Sequence, residues 1–513
     1  MPKKPFCERI PSFFVLLAGV LFVLILCLLI VFDGSLSFAF QNRALASNGV
    51  LAVLALGLIL FCLLVNRRFF HKWTARASKI RPQKWLLLLG AAHGLLFIAQ
   101  WILLRSLWFY PGWDVLPVRQ AAEDIARGLP ISNSDYFWMI PHNAPLTLLL
   151  SVPYWIGLQL GLAEPYIMLP ISGALFINLS CFFTTLSLFR MTRSLRATGF
   201  GFALSTVWIL LSPYVSVPYS DAFSILFPAL ALCLSLSGLR PIPKWFWVTA
   251  VSFLGASIKP HVMIFWIALV LLECARQLSR LAHWRKNGKR LALFAAALLL
   301  ALLPGLALQN TAKPLLAGDP NPEGQLPPSH YLMMGFNLQT YGGNAPEDEA
   351  FSLSFPTLAE RKQANYQEIG RRLTSMSLPK AIEFFSAKLY KAYNSGTFAW
   401  NGSFLQLEVP RRTDALSALL RSLYYTNGAS NGLFVSACQV LWLAVLLLCA
   451  FAFTFGRKKQ PHLPPLALTL LGLSAYLLLF ECWPRYLFLY APFFVVCATL
   501  GLQSLARAIP SGK

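Results

Sequence analysis

From Ile10 to Phe32 the chain runs through 23 residues without a charged side chain. As a helix this run is roughly 35 Å long, enough to cross the hydrocarbon of a bilayer. Runs near this length recur along the sequence and constrain the fold more than any motif, because backbone amides and carbonyls in lipid must be satisfied within the protein. With 57% apolar and only 12% charged residues, the 513-residue chain reads as an all-α polytopic membrane protein. The first run has a basic flank (MPKKPFCER), is long for a cleaved signal and has no small-residue cleavage site, so it reads as a retained span.

A net charge of +23 would point a soluble protein towards nucleic acid. Here the basic residues sit in short clusters between apolar runs: KK near the start, 67–84, RMTRSLR at 190–196, RPIPK at 240–244, 276–290 and RKK at 457–459. Such clusters anchor cytoplasmic turns, so no nucleic-acid partner is expected and the bilayer is. Between consecutive clusters the chain must cross an even number of times. The spans then fall at 10–32, 47–66, 85–108, 166–189, 198–215, 222–239, 245–258, 262–277, 290–309, 432–454, 463–481 and 487–506. That is about twelve helices in the cell membrane with both ends cytoplasmic.

One apolar segment, 145–162, is left over. Counting it as a span would invert the basic turn at 190–196, and Pro153 should interrupt it, so it is expected to be re-entrant or interfacial. The alternative is an ordinary span that violates the charge rule. Of the twenty acidic residues only Glu8 and Glu273 then fall on the cytoplasmic side, which puts the polar chemistry outside. The chain divides into an N-terminal helix pair (1–84), a transmembrane core with its outer loop 109–165 (85–309), an extracytoplasmic loop domain (310–431) and the C-terminal spans (432–513). The ten cysteines lie mostly inside apolar runs, with no CxxC pair and no Cys/His cluster, so neither a disulfide framework nor a metal site is expected.

In FYPGWDVLPVRQAAEDIARG, 109–128, Pro117 is expected to open and Gly128 to close an amphipathic juxtamembrane helix. Val118, Ala121, Ala122 and Ile125 share one face, and Arg119, Gln120, Glu123, Asp124 and Arg127 the other. Asp114 precedes this helix behind an aromatic, Pro/Gly turn. Either it caps the helix or it faces a cavity between the spans. Further on, YFWMIPHNAPL sets His142 and Asn143 among aromatics, groups suited to sugar hydroxyls or a lipid headgroup, or to loop carbonyls. SPYVSVPYSD brings Tyr219 and Asp221 to an outer span end, SIKPH brings Lys259 and His261, and ECWPRY brings Arg485 and Tyr486. Two cations at outer helix ends, neither in a basic cluster, suggest an anionic ligand such as a phosphate.

Taken in order and on one side of the membrane, WD at 113–114, PHNAPLTLLL, YSD, KP at 259–260 and PRY at 484–486 resemble the GT-C superfamily of membrane glycosyltransferases. These include the protein O-mannosyltransferases and the aminoarabinose transferase of lipid A. The resemblance covers roughly 85–309 and 463–506. It implies a GT-C-like fold and, without cofactor or metal, an inverting transfer of a hexosyl or pentosyl group from a polyprenyl-phosphate donor. The acceptor would be a glycan, lipid or protein at the outer face. On this reading Asp114 is the catalytic base. Asp124, His142, Asn143, Tyr219, Asp221, Lys259, His261, Arg485 and Tyr486 bind substrate. A single WD stands where many relatives carry paired acids, so the base lies open between Asp114 and Asp124. A secondary transporter or lipid flippase is the alternative, but the long loop splits the spans unevenly rather than into similar halves.

Overall fold

The computed structural model describes residues 6–68, 82–278, 288–318, 321–400, 412–456 and 460–508. The basic cluster 457–459 and most of 67–84 and 276–290 lie outside the described residues. Within them every regular element is helical. Among the described residues eight helices are long and apolar enough to cross a membrane: Ile10–Ile30, Asn48–Val65, Gln83–Leu107, Pro165–Thr192, Pro260–Gln277, Ala292–Ala317, Asn431–Phe455 and Ala491–Ala508. Leu195–Leu210, Ser220–Ser235 and Leu463–Leu479 are shorter apolar helices. Pro241–Ile258 is also helical.

Where the helices differ from the expected spans, the sequence supplies the reason. The helix expected over 198–215 ends at Ser205, is followed by a π turn over Thr206–Leu210, and gives way to a 3₁₀ turn at Pro213–Ser216. A proline within the helix would remove a backbone donor and clash with the preceding turn. The helix expected to stop near 309 runs from Gly288 to Ala317, because the first left-handed break is Gly318, at φ +60°. Segment 145–162 forms one helix, Ala144–Gln159, which Pro153 does not interrupt. Its 16 residues give a length of roughly 24 Å.

The two ends of the chain pack together. Helix Phe6–Ile30 lies against Asn431–Phe455 and Leu463–Leu479, and Asn48–Arg68 also lies on Asn431–Phe455. Met168–Thr192 packs on Pro82–Leu107, Leu195–Ser205 and Leu226–Ser235. Buried polar side chains tie these layers: Asn48 and Gln439 donate to Asn394 Oδ1 at 2.8 and 3.2 Å, and Asn178 donates to Gln100 at 3.0 Å. The nine cysteines from Cys27 to Cys497 are free thiols.

Residues 321–400 form four further helices: Pro328–Gly335, Pro346–Leu353, Leu358–Thr374 and Leu378–Tyr393. Thr357 and Glu360 close a capping box at the start of the third. Met333, Phe336, Ile369 and Phe384 make a small apolar core of their own. Around it Arg372 pairs with Asp348 at 2.5 Å and with Glu368 at 2.7 Å. The last helix leaves this unit and buries Tyr390 and Tyr393 in the main core.

Two consequences are measurable. A Cβ on Gly501 would stand 2.0 Å from the Leu448 carbonyl oxygen of the neighbouring helix, whereas one on Gly90 would meet nothing within 4 Å. Gly501→Val should therefore cost about 1–3 kcal/mol by forcing the helices apart, seen as a lower thermal midpoint in detergent, while Gly90→Val stays near wild type. Equal midpoints would mean that the crossing is not close. His330 is buried beside Ser352, and burial pushes its imidazole down to about 4. The unfolded chain takes up this proton near pH 6.5, so stability is full above that value and falls as the pH drops towards 4. His330→Gln should flatten the acid side of a melting-temperature profile.

Candidate polar site among broken helix ends

Trp113 takes a left-handed backbone at φ +52° and is 67% exposed, an uncommon conformation for a bulky residue. The turn lets Asp114 adopt helical angles, so the helix starts at Val115, two residues before Pro117, and runs to Arg127 with Gly128 as its left-handed cap. Its buried face is Val115, Val118, Ala121 and Ala122, with Ile125 only partly covered, and it packs on Ala144–Gln159. Arg119, expected on the polar face, instead lays its guanidinium over the Tyr110 ring at 4.9 Å and the Tyr166 ring at 5.7 Å.

Asp114 occupies the N-cap position but makes no side-chain capping bond. Its Oδ2 accepts a hydrogen bond from the Tyr219 hydroxyl at 3.2 Å. Asn143 donates to Tyr219 at 3.2 Å and to Tyr136 at 2.6 Å, so one amide holds two phenols beside the carboxylate. Burial, with the Asp114 charge adding to it, pushes the Tyr219 phenol well above its ordinary value. It therefore stays a donor at neutral pH. His142 is exposed, meets the Tyr331 ring at 5.7 Å, and lies close enough to Asp114, Lys259 and Lys313 to feel their charges. Protein packed around the ring, helped by the two lysines and opposed by Asp114, holds its imidazole below the ordinary value. It is neutral at pH 7.

Deeper in, Lys259 forms an ion pair with Asp221, their side chains 9% and 0% exposed. The ammonium also lies over the Tyr486 ring at 5.0 Å, and the Arg485 guanidinium approaches the same ring at 5.2 Å. Tyr486 donates its hydroxyl to Glu481, and its ring packs edge-on against His261, which also faces Tyr476 at 5.1 Å. Asp221 Oδ2, His261 Nε2 and Arg485 Nε are buried polar atoms without hydrogen-bond partners, as are the nearby Ser216 and Ser224 hydroxyls. Unsatisfied buried groups gathered at one place are costly and mark where a polar ligand or water would be held.

The structure thus brings Asp114, His142, Asn143, Tyr219, Asp221, Lys259, His261, Arg485 and Tyr486 into one continuous polar region. It does not bring Asp124 there. That carboxylate accepts from the backbone N–H and hydroxyl of Ser132 at 2.9 and 2.8 Å and closes the loop after its helix. Lys313, Glu481, Tyr136, Tyr331 and Tyr476 join the region without having been singled out from sequence. Lys313 met the same criterion as Lys259, a cation beyond a span and outside a basic cluster, and Glu481 stands four residues before Arg485. Tyr331 comes from the long loop and meets His142 ring to ring at 5.7 Å, which no local pattern announces. Among the described residues no group of three His, Cys, Asp or Glu side chains could hold a metal ion.

The ion pair yields a direct test. Lys259→Gln leaves Asp221 buried and unpaired, which should cost about 3–5 kcal/mol, while Lys259→Gln with Asp221→Asn should recover most of the loss. Thermal melts of the three proteins in detergent read this. No recovery in the double variant would mean that the two charges do not depend on each other.

A family described as conserved hypothetical integral membrane protein matches residues 10–505. No curated protein and no solved structure matches the chain.

Proposed function

The chain belongs to this family of integral membrane proteins, and from the polar region at its broken helix ends we propose that it is a GT-C-like glycosyltransferase. On this reading about twelve spans place both ends in the cytoplasm. The loop 109–165 and the 310–431 region then face outward at the cell membrane. The donor is a sugar on a polyprenyl phosphate, and the acceptor is a cell-envelope glycan, lipid or protein.

The observation that carries the proposal is Asp114, making no capping bond to its helix and held by Tyr219, in one polar region with two cations grouped about Tyr486. A carboxylate beside cations, lined by tyrosines and a neutral imidazole, suits a sugar between a proton acceptor and a phosphate. In the proposed step an acceptor hydroxyl attacks the anomeric carbon from the face opposite the phosphate, and its proton passes to Asp114. The bond from the anomeric carbon to the phosphate oxygen breaks. Arg485, with Lys259 held in place by Asp221, meets the charge that grows on the departing lipid phosphate. On this reading His142 meets sugar hydroxyls, Asn143 orients Tyr136 and Tyr219 towards them, and Tyr331 frames the ring.

Purified protein incubated in detergent with labelled polyprenyl-phosphate sugars and an envelope extract should transfer the label without vesicles, which a transporter or flippase would not do. Asp114→Asn keeps the side-chain shape and removes the base, so transfer should fall by about 10²–10⁴-fold with folding intact. Asp124→Asn should be much milder, since its carboxylate serves Ser132. Near-full turnover by Asp114→Asn would sink the assignment.

A further inference from the structure

At the far end of the bundle a cleft of about 360 Å³ opens between the turn at Ser194–Arg196 and the end of helix Ala491–Ala508. Arg196 and Arg507 bring two guanidinium groups to it, Ser194, Thr499 and Gln503 line it with polar groups, and Phe200 is among the apolar residues. No acidic side chain lines it. Ser194 is the N-cap of helix Leu195–Ser205, with its hydroxyl oxygen accepting from Ala197 N–H, so the positive end of that helix adds to the two cations.

Its place in the bundle is as informative as its charge. From Arg196 the chain leads back through Leu195–Ser205 and the turns after it to Tyr219, and from Arg507 it leads back along Ala491–Ala508 to Arg485. Each path is roughly 25–35 Å, the thickness of the hydrocarbon layer. With these helices spanning the bilayer, that separation sets the cleft at headgroup depth in the leaflet opposite the polar region, beside the basic turn 190–196. A lining that combines two guanidinium groups and hydroxyls with Phe200, Leu502 and alanines fits one ligand chemistry, a phosphodiester joined to acyl chains.

We propose that this cleft binds the phosphate headgroup of an anionic phospholipid. The inference does not rest on the proposed transfer reaction. The test uses the full chain, delipidated in detergent and titrated with phosphatidylglycerol, phosphatidylcholine or inorganic phosphate, with bound molecules counted by native mass spectrometry. Phosphatidylglycerol should bind more tightly than phosphatidylcholine, and inorganic phosphate should compete only weakly. Removing both charges in Arg196→Gln with Arg507→Gln should weaken phosphatidylglycerol binding by at least about 10-fold, given roughly 1 kcal/mol per basic residue at a lipid surface. Gln503→Trp, which fills the cleft without altering a charge, is the second variant and should give a similar loss. Equal binding of the two lipids, displacement by phosphate at the lipid's own concentration, or either folded variant binding like wild type would overturn the proposal.

Discussion

A chain that leaves the helical hydrogen-bond pattern inside an apolar bundle must surround the break with protein, because lipid offers no partner for the exposed backbone. This constraint organises the molecule. The break after Leu210 is wholly buried from Pro213 to Ser224. Aromatic side chains close over it. Tyr214 stacks on Phe488 at 4.2 Å and donates to the Phe398 carbonyl at 2.7 Å, and Trp208 donates to the Gly396 carbonyl at 3.0 Å. The turn at Lys259–Val262 is held by Tyr490, whose hydroxyl donates to the His261 and Val262 carbonyls, both at 3.0 Å. The breaks meet, and the polar side chains at their ends meet with them.

The 321–400 region is part of this enclosure rather than an appendage. Lys388, fully buried, donates to the carbonyls of Gly335, Leu478 and Phe480 at 2.5, 2.8 and 3.0 Å, so a single ammonium serves the carbonyl ends of two helices. Cys482 N–H donates to the Gly342 carbonyl at 2.7 Å, and Lys391 lies over the Trp483 ring at 4.5 Å. The segment that carries Glu481, Arg485 and Tyr486 is therefore fastened from the loop side. Burial draws the Lys388 ammonium down to about 8, and three carbonyl acceptors are what keep a cation tolerable there.

Much of this was legible in the sequence because its signals are local. Apolar length marked where helices lie, and a helix occurs at each expected span, but hydropathy alone did not fix their ends. Pro213 and Gly318 set two of those ends, signals that sit in the chain but that hydropathy does not weigh, while the helix Ala144–Gln159 runs through Pro153. Charge placement likewise pointed to Asp114, Asp221, Lys259 and Arg485, since an isolated ionic group at a span end needs a partner. It did not reveal that Asp221 and Lys259 are each other's partner, residues 38 positions apart. The sequence left the base open between Asp114 and Asp124, because a single WD stands where relatives of the resembled superfamily carry paired acids. A loop hydroxyl eight residues on from Asp124, that of Ser132, holds its carboxylate outside the polar region.

That pairing changes what the cations can offer. Lys259 has its charge balanced by Asp221 before any ligand arrives, so an anion reaching it must share the ammonium with a carboxylate that has nowhere else to go. Arg485 has Glu481 close by, but that carboxylate already accepts the Tyr486 hydroxyl, and one guanidinium nitrogen remains without a partner. Guanidinium is the more weakly hydrated cation and presents several donors in one plane, which suits the oxygens of a phosphate. In the proposed reaction Arg485 is thus the cation that receives the leaving group. Lys259 and Asp221 together act as a neutral strut that holds the ends of two broken helices at a fixed distance from Tyr486. In that proposed reaction the buried pair positions the site, and the half-buried arginine meets the ligand.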